Sequence, residues 1–271
     1  MLATGLALGL STSSCRWLGR QQTATEQTAD DERKDGDEGC DDEPQHEFPD
    51  NDIFLSDGFF RMNDEDSPQN IRRRFAAMDI HALYRDSPSG SYFIVPVAIA
   101  PLFSENNCTG GTDVSLQTDK GDHNYIALLS GLKSYNREMF ADVFDSDTPE
   151  GEIPETILEP GRKLSFEYDD HRYSLKASAA GRDQRDNPTG YELRFSRDNR
   201  TSQRLVRIDH LNGTTPQLIF AGDLDGDGRP DLIISEGSDY EDHFWVLYLS
   251  SCAAEGELVQ AVAGDAEARD C

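Results

Sequence analysis

The strongest chemical signal in the sequence is a glycine-rich loop that carries an aspartate at alternate positions. The segment reads DLDGDGRPD, and Asp223, Asp225, Asp227 and Asp231 occupy positions 1, 3, 5 and 9 of the loop 223–231. Alternate residues of a tight loop turn their carboxylates toward a common centre, and calcium is a hard cation that takes about six to eight oxygen ligands. The spacing therefore predicts a calcium site.

Other features of the loop agree with a bound cation. Gly226 and Gly228 allow the backbone to turn sharply where a side chain would clash. The backbone carbonyl of Arg229, at position 7, offers one more oxygen ligand. Carboxylates this close repel each other, and a divalent cation would convert that repulsion into coordination and folding energy. Two alternatives stay open, namely magnesium or manganese in the same site and an acidic turn that binds no metal.

The loop does not fit the EF-hand pattern, and it resembles another family. An EF-hand needs a bidentate glutamate at position 12, where this chain has Ile234. The flanking segments QLIF and DLIIS have the composition of strands. DLDGDGRPD resembles the DxDxDGxxD calcium loop of FG-GAP repeats, which occur in integrin-like propellers and in many secreted bacterial proteins. That resemblance implies that the four aspartate side chains bind calcium.

The wider sequence around the loop carries a second resemblance. The stretch AGDLDGDGRPDLIIS, a histidine-containing segment, LYLSS and a terminal cysteine together resemble a group of uncharacterised bacterial lipoproteins with a single such loop. This group implies no known activity. The acidic loop occurs once and no repeat of fixed period is present, so a complete propeller is not predicted.

Two further polar segments are weaker candidates. The segment 239–243, which ends in His243, could complete the calcium shell, form a second site, or be an exposed turn. The segment 169–171 (DDH) lies at the tip of a predicted hairpin and could serve catalysis, although such residues commonly form turns. The sequence contains neither a GxSxG nucleophile motif nor an HxxxH metal motif, so we find no catalytic set.

The elements that must position the loop are mostly short strands. Segments rich in β-branched and aromatic residues alternate with turn clusters, which predicts a mainly β fold: a sandwich-like or irregular β domain with one or two short helices, over residues 49–271. The helices are predicted at 67–78, where Ser67 can cap and Pro68 can occupy the first turn, and at 136–143. The segment 258–262 is ambiguous. Strands are predicted at 92–100, 113–116, 164–168, 172–177, 191–196, 203–209, 217–221, 232–235 and 244–249.

The first 48 residues predict export and a tether. Residues 1–14 (MLATGLALGLSTSS) are short and apolar and precede Cys15, which resembles a bacterial lipoprotein signal and implies a lipid on Cys15. Simple secretion, or an apolar N-terminus without a targeting role, stays open. Residues 16–48 are strongly acidic with few apolar side chains, and we expect a disordered linker between this signal and the domain.

The net charge restricts the kinds of molecule that the chain can bind. The formal net charge of −27 disfavours nucleic acid as a partner, and it restricts membrane contact to a lipid anchor. A negative surface concentrates divalent cations.

The candidates for a disulfide are Cys108, Cys252 and Cys271, and a bridge from Cys271 to either of the others would tie down the end of the chain.

These observations predict a non-enzymatic, calcium-binding protein that is exported or tethered at a bacterial envelope. Calcium would be structural, closing the turn between two strands, and the domain would act by binding an envelope or extracellular ligand or by scaffolding. The alternatives are an extracellular hydrolase with an unrecognised site and an adhesion module. Two acidic groups facing each other across a cleft would favour the hydrolase.

Overall fold

A computed structural model describes residues 54–55, 59–62, 66–85, 92–106, 111–120, 125–132, 156–237 and 242–268. Within these ranges most residues lie in antiparallel strands and one α-helix is present, so the predicted mainly β class is confirmed. The predicted signal at 1–15, the linker at 16–48 and the second helix at 136–143 lie outside the described residues.

The described elements follow one another along the chain as short strands with a single helix near the start. They are β1 (Phe54–Leu55), β2 (Phe59–Arg61), α1 (Pro68–Ala76), β3 (Ile80–Arg85), β4 (Tyr92–Val97), β5 (Ile99–Glu105), β6 (Thr112–Thr118), β7 (Tyr125–Ser130), β8 (Thr156–Ile157), β9 (Lys163–Tyr168), β10 (His171–Ser178), β11 (Gly181–Arg182), β12 (Pro188–Arg197), β13 (Thr201–His210), β14 (Gln217–Gly222), β15 (Asp231–Ser235), β16 (Asp242–Leu249) and β17 (Gln260–Ala268).

These strands form four sheets. The first has the order β1-β7-β3-β4 and the second the order β2-β6-β5. The third, which we name the hairpin sheet, has the order β9-β10-β12-β13, with β11 also paired to β12. The fourth, which we name the loop sheet, has the order β8-β14-β15-β16-β17 and carries the acidic loop between β14 and β15. Each sheet contains at least one pair of strands that follow each other in the chain, and β1–β7, β3–β7, β2–β6, β10–β12 and β8–β14 pair strands that do not.

Two hydrophobic cores lie on either side of the first sheet. The main core joins this sheet to the hairpin sheet and the loop sheet. The second core joins it to α1 and to β6. Strand β7 is buried along its whole length, because Ile126 and Leu129 reach the main core while Tyr125 and Leu128 reach the second. Such a strand shows no alternation of polar and apolar residues, which explains why the sequence analysis did not identify it.

The helix follows its sequence signals. Ser67 has extended backbone angles and accepts a hydrogen bond at its Oγ from the backbone N–H of Asn70, 3.2 Å away, and Pro68 begins the helix. Ile71 and Phe75, four residues apart, are the buried residues of α1 and pack in the second core. The prediction of a short helix at 67–78 is confirmed.

The predicted strand 92–100 was wrong in its extent. The chain forms two strands here, because β4 pairs with β3 in one sheet while β5 pairs with β6 in another. The change of sheet occurs at Ala98, whose N–H donates to Asp119 Oδ1 and whose carbonyl accepts from the Asp119 N–H, both at 3.0 Å. In β4 the side chains of Tyr92 and Ile94 are buried in alternation with more exposed ones, rather than throughout.

The predicted hairpin at 164–177 is confirmed as β9 and β10. Its tip residues Asp169 and Asp170 have φ angles of +47° and +60°, the left-handed pair that a two-residue hairpin turn with the right twist requires. The three-residue turn between β12 and β13 also contains a left-handed pair, Asp198 and Asn199, with φ angles of +53° and +54°. Aspartate and asparagine tolerate this conformation better than other non-glycine residues.

Candidate metal centre

The acidic loop closes the hairpin between β14 and β15. The two strands are paired up to Gly222 and Asp231, so both ends of the loop are held in register. Phe220 in β14 and Leu232 in β15 are buried in the main core and fix the loop to the body of the protein. The aspartates of the loop are therefore presented from a rigid base.

Three of the predicted ligands lie together. One carboxylate oxygen from each of Asp223, Asp225 and Asp227 lies within 4.8 Å of the other two. Two oxygens bound to one calcium at about 2.4 Å lie at most about 5 Å apart, so the three are close enough for a shared ion. Asp223 and Asp225 are buried, and the side chain of Asp227 is 18% exposed. The loop thus holds a three-carboxylate cluster that faces solvent on one side.

The carboxylate of Asp223 organises the backbone of the loop. Its Oδ1 accepts hydrogen bonds from the N–H groups of Gly226 at 2.6 Å and Asp227 at 3.1 Å, and its Oδ2 accepts from the N–H of Gly228 at 3.0 Å. Gly226 and Gly228 have φ angles of +78° and +82°, which other residues rarely adopt. The two glycines let the chain curl around the first aspartate.

Two serines after β16 contact the other members of the cluster. The hydroxyl of Ser251 donates to Asp225 Oδ2. The hydroxyl of Ser250 lies 3.0 Å from both carboxylate oxygens of Asp227. Sequence reasoning missed both residues, although the LYLSS segment that contains them was part of the lipoprotein resemblance. These contacts join the loop to the neighbouring strand of the loop sheet.

The structure gives Asp231 a different environment from the other three. Its side chain is fully buried, its Oδ2 accepts from the N–H of Leu224 and its Oδ1 from the N–H of Ser250, both at 2.7 Å. It is not part of the three-carboxylate cluster that the described residues form. Asp231 therefore ties the start of the loop to the end of β16, and its membership of the ligand set stays a prediction.

The side chain of Arg229 also belongs to the site. Its Nε and Nη2 donate to Asp227 Oδ2 at 3.1 and 2.7 Å, and Nη2 donates to the carbonyl of Ser250 at 2.8 Å. The sequence analysis predicted a role for the backbone carbonyl of this residue, which stays a prediction, and it did not foresee the ion pair. The guanidinium partly offsets the charge of the outermost aspartate of the cluster.

Burial and mutual repulsion disfavour the ionised carboxylates. Burial is the main cause that raises the pKa of Asp225, the charges of Asp227 and Asp223 raise it further, and the hydrogen bond from Ser251 opposes them. The pKa of Asp231 is raised well above its usual range by burial and next by the charge of Asp225. A cation within the cluster would relieve this cost by favouring the charged forms.

The negative charge of the loop also affects the pKa of a tyrosine on the neighbouring sheet, Tyr168. The pKa of Tyr168 is raised to about 12, mainly by burial and next by the charges of Asp223 and Asp231. Tyr168 ends strand β9 of the hairpin sheet, so the field of the loop reaches the sheet opposite. The site is therefore a concentrated negative region at one end of the two sheets.

Most of the other predicted site residues lie outside the described part of the chain. Cys252 is half-buried and packs against the main core, whereas Cys108, Cys271 and Cys15 lie outside the described residues. The disulfide pairing and the lipidation therefore stay predictions. The side chains of the segment 239–243 also lie outside the described part of the chain.

The hairpin tip at 169–171 makes turn contacts. His171 Nδ1 lies 2.8 Å from Asp198 Oδ2, and Asp198 Oδ1 accepts from the N–H of Arg172 at 3.0 Å. The hydrogen bond from Arg172 and then that from His171 lower the pKa of Asp198. These contacts connect two neighbouring turns of the hairpin sheet.

Comparison of the chain with models of known families, with curated proteins and with solved structures yields no match. Within the described residues, no helix has the length and apolar composition that crossing a membrane requires.

Proposed function

We propose that this chain is a calcium-binding protein in which the ion has a structural role, closing the turn between β14 and β15. The observation that carries the proposal is the cluster of Asp223, Asp225 and Asp227, with oxygens within 4.8 Å of one another on a loop held by paired strands. The carbonyl of Arg229 and the carboxylate of Asp231 are the further ligands that the sequence pattern implies. Only oxygen donors are involved, as a hard cation requires.

Calcium fits this donor set better than magnesium. Calcium accepts about six to eight oxygen ligands in irregular geometry. Magnesium prefers a regular octahedron and retains several water molecules. A loop that contributes carboxylates from positions 1, 3 and 5, two of them buried, leaves little room for a largely hydrated ion. We therefore infer that magnesium competes weakly.

The structural role follows from what the loop connects. Its aspartates accept hydrogen bonds from Ser250 and Ser251, which follow β16, so an ion in the cluster would hold the loop and the end of β16 together. The energy of binding would then appear as stability of the loop sheet. The wider role that we propose is non-enzymatic: binding of an envelope or extracellular ligand, or scaffolding.

We also propose that the protein is exported and either secreted or tethered at the envelope through a lipid on Cys15. External calcium at millimolar level would keep a site of moderate affinity filled, which agrees with the structural role. Mass spectrometry of the mature N-terminal peptide tests the tether: an unmodified cysteine, or an intact Met1 in protein from cells, would contradict it.

The proposal predicts that chelation destabilises the protein. At calcium about 100-fold above the dissociation constant, the ion contributes about 2.7 kcal/mol, which corresponds to a melting temperature higher by roughly 5–10 °C for a domain of this size. Asp225→Ala should lower the melting temperature in calcium and should no longer respond to the chelator. Differential scanning calorimetry with and without EDTA measures both effects.

The matched control is Asp209→Ala, which removes one exposed carboxylate from β13, outside the loop. This variant should keep the full response to chelation. A wild-type melting temperature that stays constant in excess EDTA would contradict the structural role of calcium.

A further inference from the structure

A cavity of about 200 Å³ lies beside the acidic loop, between the hairpin sheet and the loop sheet. One wall carries Tyr173, Arg197 and Thr201, and the other carries Arg229 and the segment 256–258. Its volume is below the roughly 300–1,000 Å³ of sites for drug-sized ligands, and equals that of about seven molecules of liquid water. The cavity therefore has room for one small molecule.

The first wall is a row of cross-strand neighbours. Tyr173 in β10 is directly opposite Arg197 in β12, and Arg197 is directly opposite Thr201 in β13. The ring of Tyr173 packs nearly parallel to those of Phe166 and Phe195, its centroid 5.5 Å from each, and these two centroids lie 6.4 Å apart. Stacking and pairing hold these side chains in place before any ligand arrives.

The second wall is held equally firmly. Gln203 Oε1 accepts from the N–H groups of Leu258 and Val259, at 2.9 and 3.2 Å, and its Nε2 donates to the carbonyl of Val259 at 2.7 Å. Arg229 is oriented by Asp227 and by the carbonyl of Ser250. Two arginines, Arg197 and Arg229, thus line one cavity from opposite sheets.

The charges of this cavity are unusual for the chain. The sequence has 52 acidic and 25 basic residues, yet Arg197 has no carboxylate partner within 4.0 Å among the residues that the structure describes. Arg229 uses Nε and Nη2, and its Nη1 makes no hydrogen bond within those same residues. Donors of both guanidinium groups therefore remain for a ligand, and paired guanidinium groups suit an oxyanion.

We propose that this cavity binds a small hydroxylated carboxylic acid of about the size of one sugar acid. The carboxylate would lie between Arg197 and Arg229, with the hydroxyl of Thr201 as a further donor. Leu258 would contact the carbon skeleton. Glu257, which also lines the cavity, would accept hydrogen bonds from the ligand hydroxyls and would disfavour a ligand with several negative charges.

A titration of the full isotope-labelled chain, followed by NMR, tests the proposal with matched probes at constant ionic strength. Glucuronate carries the carboxylate and the hydroxyls, glucose carries the hydroxyls alone, and inorganic phosphate is a bare oxyanion. Glucuronate should give saturable shifts at Arg197, Thr201 and Leu258, whereas glucose should give none there. Binding of phosphate without binding of glucuronate would overturn the proposal.

Two variants separate a specific site from general charge. Arg197→Gln should weaken the binding of glucuronate about tenfold or more, because a charged hydrogen-bonding partner is lost. Arg200→Gln removes the same charge from the exposed turn three residues away, outside the cavity lining, and should leave the affinity unchanged. Equal weakening by the two variants would overturn the proposal.

Thr201→Val keeps the charge and the shape of the wall and should also weaken the binding of glucuronate. This variant tests the site independently if Arg197→Gln does not fold. Each titration is repeated in calcium and in EDTA. A failure of the calcium proposal would appear as the absence of any response to the metal, and it would leave the contrast between Arg197→Gln and Arg200→Gln intact.

Discussion

Aspartates that look equivalent in the sequence have different partners in the folded chain. Asp223, Asp225 and Asp227 form the cluster, while Asp231 is fully buried outside it and accepts hydrogen bonds from the N–H groups of Leu224 and Ser250. The spacing of a motif predicts which residues lie in a loop, and it does not predict partners that arrive from 19 residues further along, as Ser250 does for Asp231. The loop could therefore be predicted from local sequence, but the different partners of its four aspartates could not.

The raised pKa of Asp225 gives a pH dependence of definite sign. Its folded-state pKa lies above its usual value near 3.8, so the folded state binds the proton more tightly than the unfolded state. In EDTA, this group should add stability below about pH 4 and lose that contribution as the pH rises through the raised pKa. In calcium the trend should reverse at mildly acidic pH, because protons compete with the metal.

Urea unfolding in EDTA between about pH 4 and 7 checks this prediction. Asp225→Asn should unfold with a shallower dependence on pH than the wild type, since the amide has no charge to desolvate. Asp209→Asn, on the exposed face of β13, should keep the wild-type slope. A slope that Asp225→Asn leaves unchanged would show that this carboxylate does not carry the effect.

At the scale of elements, the sequence predicted those helices and hairpins whose capping and turn residues lie within their own segments. The hairpin of β9 and β10 and the helix α1 have caps and turn residues within their own segments, and both were predicted. Strands β3 and β7 were missed. Strand β7 is buried on both faces and carries no alternating pattern. The switch of sheet at Ala98 depends on Asp119, a residue distant in sequence, and local periodicity cannot reveal it.

The loop as an element depends on its two glycines. Gly226 and Gly228 have positive φ angles, and an added Cβ would meet no atom within 4 Å at either position. Gly226→Ala should therefore destabilise the protein by about 1 kcal/mol through backbone strain alone. The control Gly181→Ala, at a glycine without a positive φ, should change stability much less. Chemical denaturation in EDTA measures both, and an equal cost would contradict this account of the loop.

At the scale of the whole molecule, the main core joins three sheets and brings the acidic loop and the arginine-lined cavity to the same end of the domain. The net charge of −27 indicates a preference for cations, and it gives no hint of the two arginines that face the cavity. Those arginines line the same cavity only because the hairpin sheet packs against the loop sheet. The fold class and the position of the acidic loop could be predicted from the sequence. The cavity could not, because it depends on how two sheets pack together.

The most direct test of the account is isothermal titration calorimetry of calcium into EDTA-treated, dialysed protein, with elemental analysis of the same folded sample. We predict one calcium ion per chain, a much weaker response to magnesium, and loss of the calcium response in Asp225→Ala. Folded protein that gives no heat with calcium and contains no bound metal would contradict the account.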